Sequence, residues 1–297
     1  MKGASRETVS GVLLIDKPVG PSSNAVLQRT KRLLGATRAG HTGTLDPLAS
    51  GLLVIGLGEA TKFSGAMLDA DKAYRARLKL GERTATGDAE GPVLARSEAK
   101  VSRNELLSIL DRFRGEIDQL PPMHSAIKHL GRPLYAYARS GEPVPRSPRR
   151  IVIRRLELEE FEGNTAVLFV ECSKGTYIRA LAEDIGEALG CGAHLTALER
   201  TAVGPFRLDQ SLKLDVLEAL SLPERRGRLL PPEALVESRP RLMLEVQVAA
   251  KFRQGRAVPV DSPSGSAAVF DEGGIFLGTG EVDASGTLRP KRLLALR

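Results

Sequence analysis

One carboxylate in this chain sits where its neighbours would hold it still. Asp46 lies within residues 40–63, GHTGTLDPLASGLLVIGLGEATKF, between a glycine-rich loop and the apolar run at residues 52–55. Pro47 fixes its own backbone and biases Asp46 away from the helical region, so a stiff turn aims the side chain. Gly40, Gly43 and Gly51 permit backbone geometries and close approaches that other residues resist. Asp46 is therefore the first candidate for chemistry, although an isolated Asp of this kind is commonly an Asx-type turn. The loop lacks the GK[ST] ending of a phosphate-binding loop, and Gly56-Leu57-Gly58 is only a fragment of GxGxxG. A GxSxG nucleophile elbow is absent, and no second carboxylate stands in a comparable loop as a glycosidase pair would need.

Several elements must position that loop. Residues 12–15 form an apolar run that ends at Lys17-Pro18 and read as a strand. Ser22 or Ser23 can cap a helix running to Leu34, with Gly35 as its terminator. Residues 52–55 read as a buried strand and residues 59–68 as a helix. Residues 73–80 alternate, with Tyr74, Ala76, Leu78 and Leu80 on one face and Arg75, Arg77 and Lys79 on the other. Ser102 and Glu105 make a capping box for a helix ending near Gly115. Strands are expected at residues 151–158 and 166–172. Ile178, Leu181, Ala182, Ile185 and Leu189 mark one face of a helix. Arg179 lies off that stripe, in a first turn where the helix dipole disfavours a cation. Strands and helices mix without regular βαβ alternation, which favours an α+β fold. Residues 222–240, with Pro223, Pro231, Pro232 and Pro240, read as a linker. Beyond it, Gly-rich turns separate short β-prone runs, the pattern of a small all-β module.

Composition narrows the function classes. The chain has 297 residues, enough for one sizeable core and a smaller domain. No apolar run approaches the roughly 20 residues that span a bilayer. The start, MKGASRETVSG, has no apolar segment after its charges and does not read as a secretory signal. Two cysteines without CxxC spacing and four histidines without HxxxH pairing indicate neither a disulfide framework nor a metal site. A reducing cytoplasm is the expected setting. The formal charge is +7. Residues 121–155 alone hold eight Lys and Arg, namely Lys128, Arg132, Arg139, Arg146, Arg149, Arg150, Arg154 and Arg155, against Glu142. With Tyr135 and Tyr137 among them, this exposed, partly irregular segment suits a nucleic-acid backbone with unstacked bases, or equally a solvated surface loop.

LLIDKPVGPSS at residues 13–23, the block at 40–63, PPMHSAIK, GRPLYAYARSG and CSKGTYIRALAEDIG stand in an order that resembles the bacterial tRNA pseudouridine-55 synthase family. The likeness runs from Gly11 to about Phe206, and the C-terminal module is similar, more loosely, to an RNA-binding PUA domain. The resemblance implies a pseudouridine synthase catalytic domain on a mixed, largely antiparallel sheet flanked by helices. Residues 1–10 would be a flexible tail, 11–238 the catalytic domain with an RNA-binding insertion at about 121–150, and 239–297 the PUA-like domain. It also implies isomerisation of uridine 55 in the tRNA T-arm without cofactor or metal, by a monomer with no membrane association and no obligatory protein partner. Asp46 would be the nucleophile, Arg179 its charge partner, and Tyr74 the ring stacking on the displaced uracil. Tyr177 and Leu198 would line the uracil pocket, and His41 would take the space left by the flipped base. Lys17 would be mainly scaffold with a phosphate contact, and Lys128, Arg132, Arg146, Arg149 and Arg150 would grip the RNA backbone. The sequence departs from the family at His124, where Tyr is usual, and at Ser22, where Thr is commoner. The rival expectations are a guide-RNA-directed relative acting on another RNA and a non-catalytic RNA-binding or RNA-folding protein.

Overall fold

Ten strands form one sheet that carries the Asp46 loop at its centre. The computed structural model describes residues 9–295. Along the main path the order is Leu212–Lys213, Gly11–Lys17, Ala49–Leu57, Ala193–Val203, Lys72–Leu80, Thr165–Cys172, Arg149–Glu162 and Gly115–Gln119. Ala39–His41 pairs beside Ala49–Leu57, and Phe206–Arg207 beside Ala193–Val203. Two pairings on the main path are parallel, Gly11–Lys17 with Leu212–Lys213 and Ala49–Leu57 with Ala193–Val203; the rest are antiparallel. The sheet is thus mixed and largely antiparallel, and the fold is α+β.

The local patterns account for the elements beside the loop. In the Lys72–Leu80 strand, Ala76, Leu78 and Leu80 are buried while Arg75 and Arg77 face solvent, as the period of two requires. Ser22 caps the helix Ser23–Leu33 by accepting the N–H of Ala25. The Ser102–Glu105 box is reciprocal and starts the helix Arg103–Asp111. Helix Ile178–Ala188 packs its apolar face on the sheet with Leu168, Val170, Leu195 and Leu198 in one cluster. Helix Ser23–Leu33 packs on the same sheet with Leu13, Ile15, Leu53 and Ile55. Among the described residues no helix is long and apolar enough to cross a membrane.

Three expectations change, and the C-terminal module keeps its expected β-sheet while adding one helix. The helix expected at 59–68 is a 3-10 turn, Gly58–Phe63, followed by the short helix Gly65–Leu68. The stretch at 222–240 is not a loose linker: Leu230 bridges to Val12, and Leu235 and Val236 are buried with Phe63, Phe270 and Phe276. Isolated prolines interrupt its pattern, yet its leucines and valine find a core. The C-terminal module is a five-stranded sheet that also carries a helix, Val246–Arg253, whose Phe252 is fully buried. Of the tail expected over 1–10, residues 1–8 lie outside the described residues, whereas Val9 is buried and Ser10 accepts the N–H of Glu59. The basic stretch at 121–150 holds a two-stranded hairpin, Lys128–His129 with Arg132–Pro133, and a helix, Leu134–Ser140.

Candidate active site

The loop ahead of Asp46 is tied residue by residue. Ser23, buried, both donates its hydroxyl to the carbonyl of Leu45 (2.9 Å) and accepts the Leu45 N–H (2.7 Å). Gly20 N–H donates to the Pro47 carbonyl and Ala49 N–H to the Asp46 carbonyl. Beneath the loop Arg200, 2 % exposed, donates Nε to Leu52 O (2.8 Å) and Nη2 to Gly43 O (3.1 Å). A buried guanidinium without a carboxylate partner is costly, and here its fork is satisfied by carbonyls. Gly51 lets the Arg200 strand approach: at φ +98° its missing Cβ would lie 2.5 Å from the Arg200 carbonyl oxygen.

Asp46 opens onto a cleft of about 810 Å³ whose lining includes Tyr74, Asp88, Tyr177, Arg179 and Leu198. Arg179 is nearly buried although it lies off the apolar stripe of its helix. Its Nε stands 3.0 Å from Asp46 Oδ2 and 3.5 Å from Asp88 Oδ2, so one guanidinium bridges two carboxylates. Its other nitrogens donate to Thr86 O (3.0 Å) and His124 O (2.7 Å), which fixes the plane of the fork. His124 therefore contributes through its backbone, a contact that does not depend on its departure from tyrosine. Asp88 is held by the Thr86 hydroxyl (2.5 Å) and the Glu90 N–H (3.1 Å). Burial pushes the Glu90 carboxyl up, reinforced by Asp88 and Asp46.

Tyr74 lines the cleft, and burial raises its hydroxyl pKa against the opposing pull of Arg200. Tyr177 caps the helix start; its N–H donates to Gln119 Oε1 (2.8 Å) and its carbonyl accepts from Gln119 Nε2 (3.1 Å). Burial raises the Tyr177 pKa as well. Leu198 is opposite Ala49 and Ala76 in the sheet and forms part of the cleft wall. His41 stands in the short strand next to the loop, with Nδ1 buried and unpartnered among the described residues. Burial and then Arg200 lower its pKa, which favours the neutral ring. Lys17 requires a correction as a phosphate contact: it has no exposed surface, and Nζ donates to the Pro18 carbonyl (2.8 Å). Burial pulls its pKa down to about 8, partly opposed by Asp46. It supports the site from behind.

The basic segment forms one side of the same cleft through Tyr135 and Arg139. Arg139 lies 5.5 Å from the centre of the Tyr135 ring, and Arg132 4.4 Å from that of Tyr137. Arg132 also pairs with Glu142, Arg146 donates to Pro121 O, and Arg150 pairs with Glu116. Lys128, Arg149 and Arg150 are exposed. Asp88 and Arg200 are the residues that reading along the chain misses. The available signals are Thr86-Gly87-Asp88, where a hydroxyl and a carboxylate flank a glycine, and a lone arginine among the alternating apolar residues of Ala193–Val203.

Comparisons with known proteins cover nearly the whole chain. Residues 31–178 match the family model "TruB family pseudouridylate synthase (N terminal domain)". Residues 179–237 match "tRNA pseudouridylate synthase B C-terminal domain" and 240–294 match "Pseudouridine synthase II TruB, C-terminal". The tRNA pseudouridine synthase B of Thiobacillus denitrificans is 54% identical over 292 residues, covering 98% of each chain. That of Azoarcus sp. is 55% identical over 292 residues, 98% of this chain and 96% of the relative. Among solved structures, a Cbf5-Nop10-Gar1 complex aligns with TM-score 0.75 at 27% identity, over 95% of this chain and 84% of the other. An H/ACA RNP bound to a substrate RNA containing 2'-deoxyuridine aligns with TM-score 0.73 at 26% identity, over 97% and 86%. Near-complete coverage at this identity, on a chain whose loop, sheet and cleft are assembled as described, makes the protein a member of the TruB family of pseudouridylate synthases.

Proposed function

We propose that the protein isomerises uridine 55 in the T-arm of tRNA to pseudouridine. The reaction breaks the N1–C1′ glycosidic bond, turns the uracil and joins C5 to C1′; the C5 proton leaves and N1 gains one, so no redox partner or group donor is consumed. The observation that carries the reading is the Arg179 bridge, which aims Asp46 into a cleft wide enough for a nucleotide taken out of its stack. Asp46 is the nucleophile, restrained at both flanks by Ser23 and Gly20. Arg179 keeps its carboxylate oriented, and Tyr74, with Tyr177 and Leu198, forms the ring and walls against the uracil. His41, a neutral ring beside the loop, fills the gap left in the RNA. Lys128, Arg132, Arg146, Arg149 and Arg150 hold the backbone, and the protein acts as a monomer in the cytoplasm on tRNA. The PUA-like module adds RNA contact area. The similarity to an H/ACA RNP bound to a substrate RNA is what supports the guide-RNA-directed alternative, but at 26% identity against 54–55% for the tRNA enzymes it is the weaker support.

The test is tritium release from tRNA carrying 5-³H-uridine, with wild type and Asp46→Asn compared on full tRNA and on an isolated T-arm. Wild type releases tritium, and Asp46→Asn releases none while still binding tRNA. An inert wild-type protein on unmodified tRNA would remove the reading, and full activity in Asp46→Asn would remove the role of that residue.

A further inference from the structure

Lys72 is buried at the start of the strand that bears Tyr74, on the same face two residues away. Its ammonium donates to three carbonyls: Ala70 O (2.6 Å), Leu68 O (2.8 Å) and Met67 O (3.3 Å). Those carbonyls belong to the one-turn helix Gly65–Leu68 and the turn after it, where no helical N–H remains to satisfy them. An ammonium has three protons and no acceptor, so the match is complete. The same turn is fastened from outside by Lys174 to Asp69 and Arg154 to Asp71, both pairs exposed and hence weak. Inside, Lys72 ties the turn beside the Gly204 N–H, which donates to the Asp71 carbonyl (2.9 Å).

The turn brings Leu68 to the cleft. Leu68 is 52% exposed and lines the cavity that Asp46 and Tyr74 also line. An apolar side chain at the rim of such a cavity suits the face of an unstacked base, which every nucleotide offers whatever its hydrogen-bonding edge.

We propose that Lys72 is a positioning residue for substrate recognition, whose three carbonyl bonds hold the turn at 67–71 so that Leu68 forms an apolar wall against an unstacked base of the RNA. The inference rests on the reading of the cleft as an RNA-modifying site. Lys72 also lines the cavity, but its ammonium protons are all engaged by carbonyls of the turn, so its influence passes chiefly through Leu68 and falls on binding more than on chemistry.

The experiment measures steady-state tritium release from labelled T-arm RNA for wild type, Lys72→Met, Lys72→Arg, Leu68→Ala and the Lys72→Met/Leu68→Ala double variant. KM rises about tenfold in Lys72→Met and in Leu68→Ala, with kcat changed less than about threefold. The double variant adds little to either single one, since both remove the same wall. Lys72→Arg recovers part of the loss, because a guanidinium can still donate to carbonyls. Failure of wild type to turn over would overturn the reading of the cleft, a result separate from any ranking of the variants. With wild type active, an unchanged KM in Lys72→Met, a loss confined to kcat, or additive effects in the double variant would overturn the role of Lys72. Should Lys72→Met not fold, Leu68→Ala with a wild-type KM overturns it equally.

Discussion

The loop at 42–47 and the basic segment at 121–150 face the same cleft and are held by opposite means. Around the loop the ties are largely buried: Arg200 to Leu52 and Gly43, Ser23 to Leu45 and Arg179 to Asp88, with Asp46 itself the partly exposed end of the Arg179 bridge. In the basic segment the ion pairs are exposed: Arg132 to Glu142 and Arg150 to Glu116. A hydrogen bond to a charged group contributes about 1.5–3 kcal/mol and leaves a costly orphan when broken away from water, whereas an exposed pair contributes about 0.2–1 kcal/mol. The first arrangement removes alternatives from a carboxylate that must be aimed. The second lets arginines exchange their carboxylate partners for phosphates at little cost. The two proposed roles, aiming Asp46 and gripping RNA, call for different stabilities, and the two regions differ in that sense.

That contrast can be broken experimentally, beginning under the loop. Arg200→Met leaves the carbonyls of Leu52 and Gly43 without their donor. The single-turnover rate falls about 100-fold, in keeping with a buried bond worth a few kcal/mol, while tRNA affinity by filter binding stays within about twofold. A drop in affinity as large as the drop in rate would show that the loop grips as well as aims. Next is the basic segment, in the Arg146→Ala/Arg149→Ala/Arg150→Ala variant. Affinity for tRNA weakens about tenfold or more at moderate salt and the slope of log K against log salt becomes shallower by about 2–3, with the rate of bound substrate preserved. An unchanged salt slope would make these arginines ordinary solvated charges.

The smallest effect concerns Lys17. Its pKa in the folded protein is lowered to about 8 by burial. Between that value and the ordinary lysine range the unfolded chain binds more protons than the native one, so the stability of wild type relative to Lys17→Met rises as pH increases through this window. Below it both states are protonated and the penalty of the buried charge is fully present. Urea unfolding of the two proteins at a series of pH values reads the difference, and a flat difference from pH 7 to 10 would mean that the ammonium is hydrated in the native state.

Local signals made part of this molecule legible in the sequence. Ser22 and the Ser102–Glu105 box act within a few residues, and the alternation from Ala73 to Leu80 needs only a sheet with one buried face. Asp46 stood out because Pro47 and the glycines are its immediate neighbours. Arg200 and Asp88 acquire meaning only when Ala193–Val203 lies between Ala49–Leu57 and Lys72–Leu80, a strand order that no local pattern encodes. The parallel pairing of Arg200 with Gly51 joins residues about 150 positions apart. Burial of Leu235 and Val236 was equally hidden, because prolines break their periodicity and their partners lie in two other parts of the chain.

Those partners matter beyond packing. The Phe63 ring meets Phe276 of the C-terminal module at 5.1 Å, Lys62 Nζ donates to Leu293 O, and the Ala295 N–H donates to Glu59. Gly58–Phe63 directly follows the strand that leads out of the Asp46 loop. The module is therefore bolted to the continuation of that strand, so its distance from the Asp46 loop is set by buried rings and hydrogen bonds rather than by a free tether.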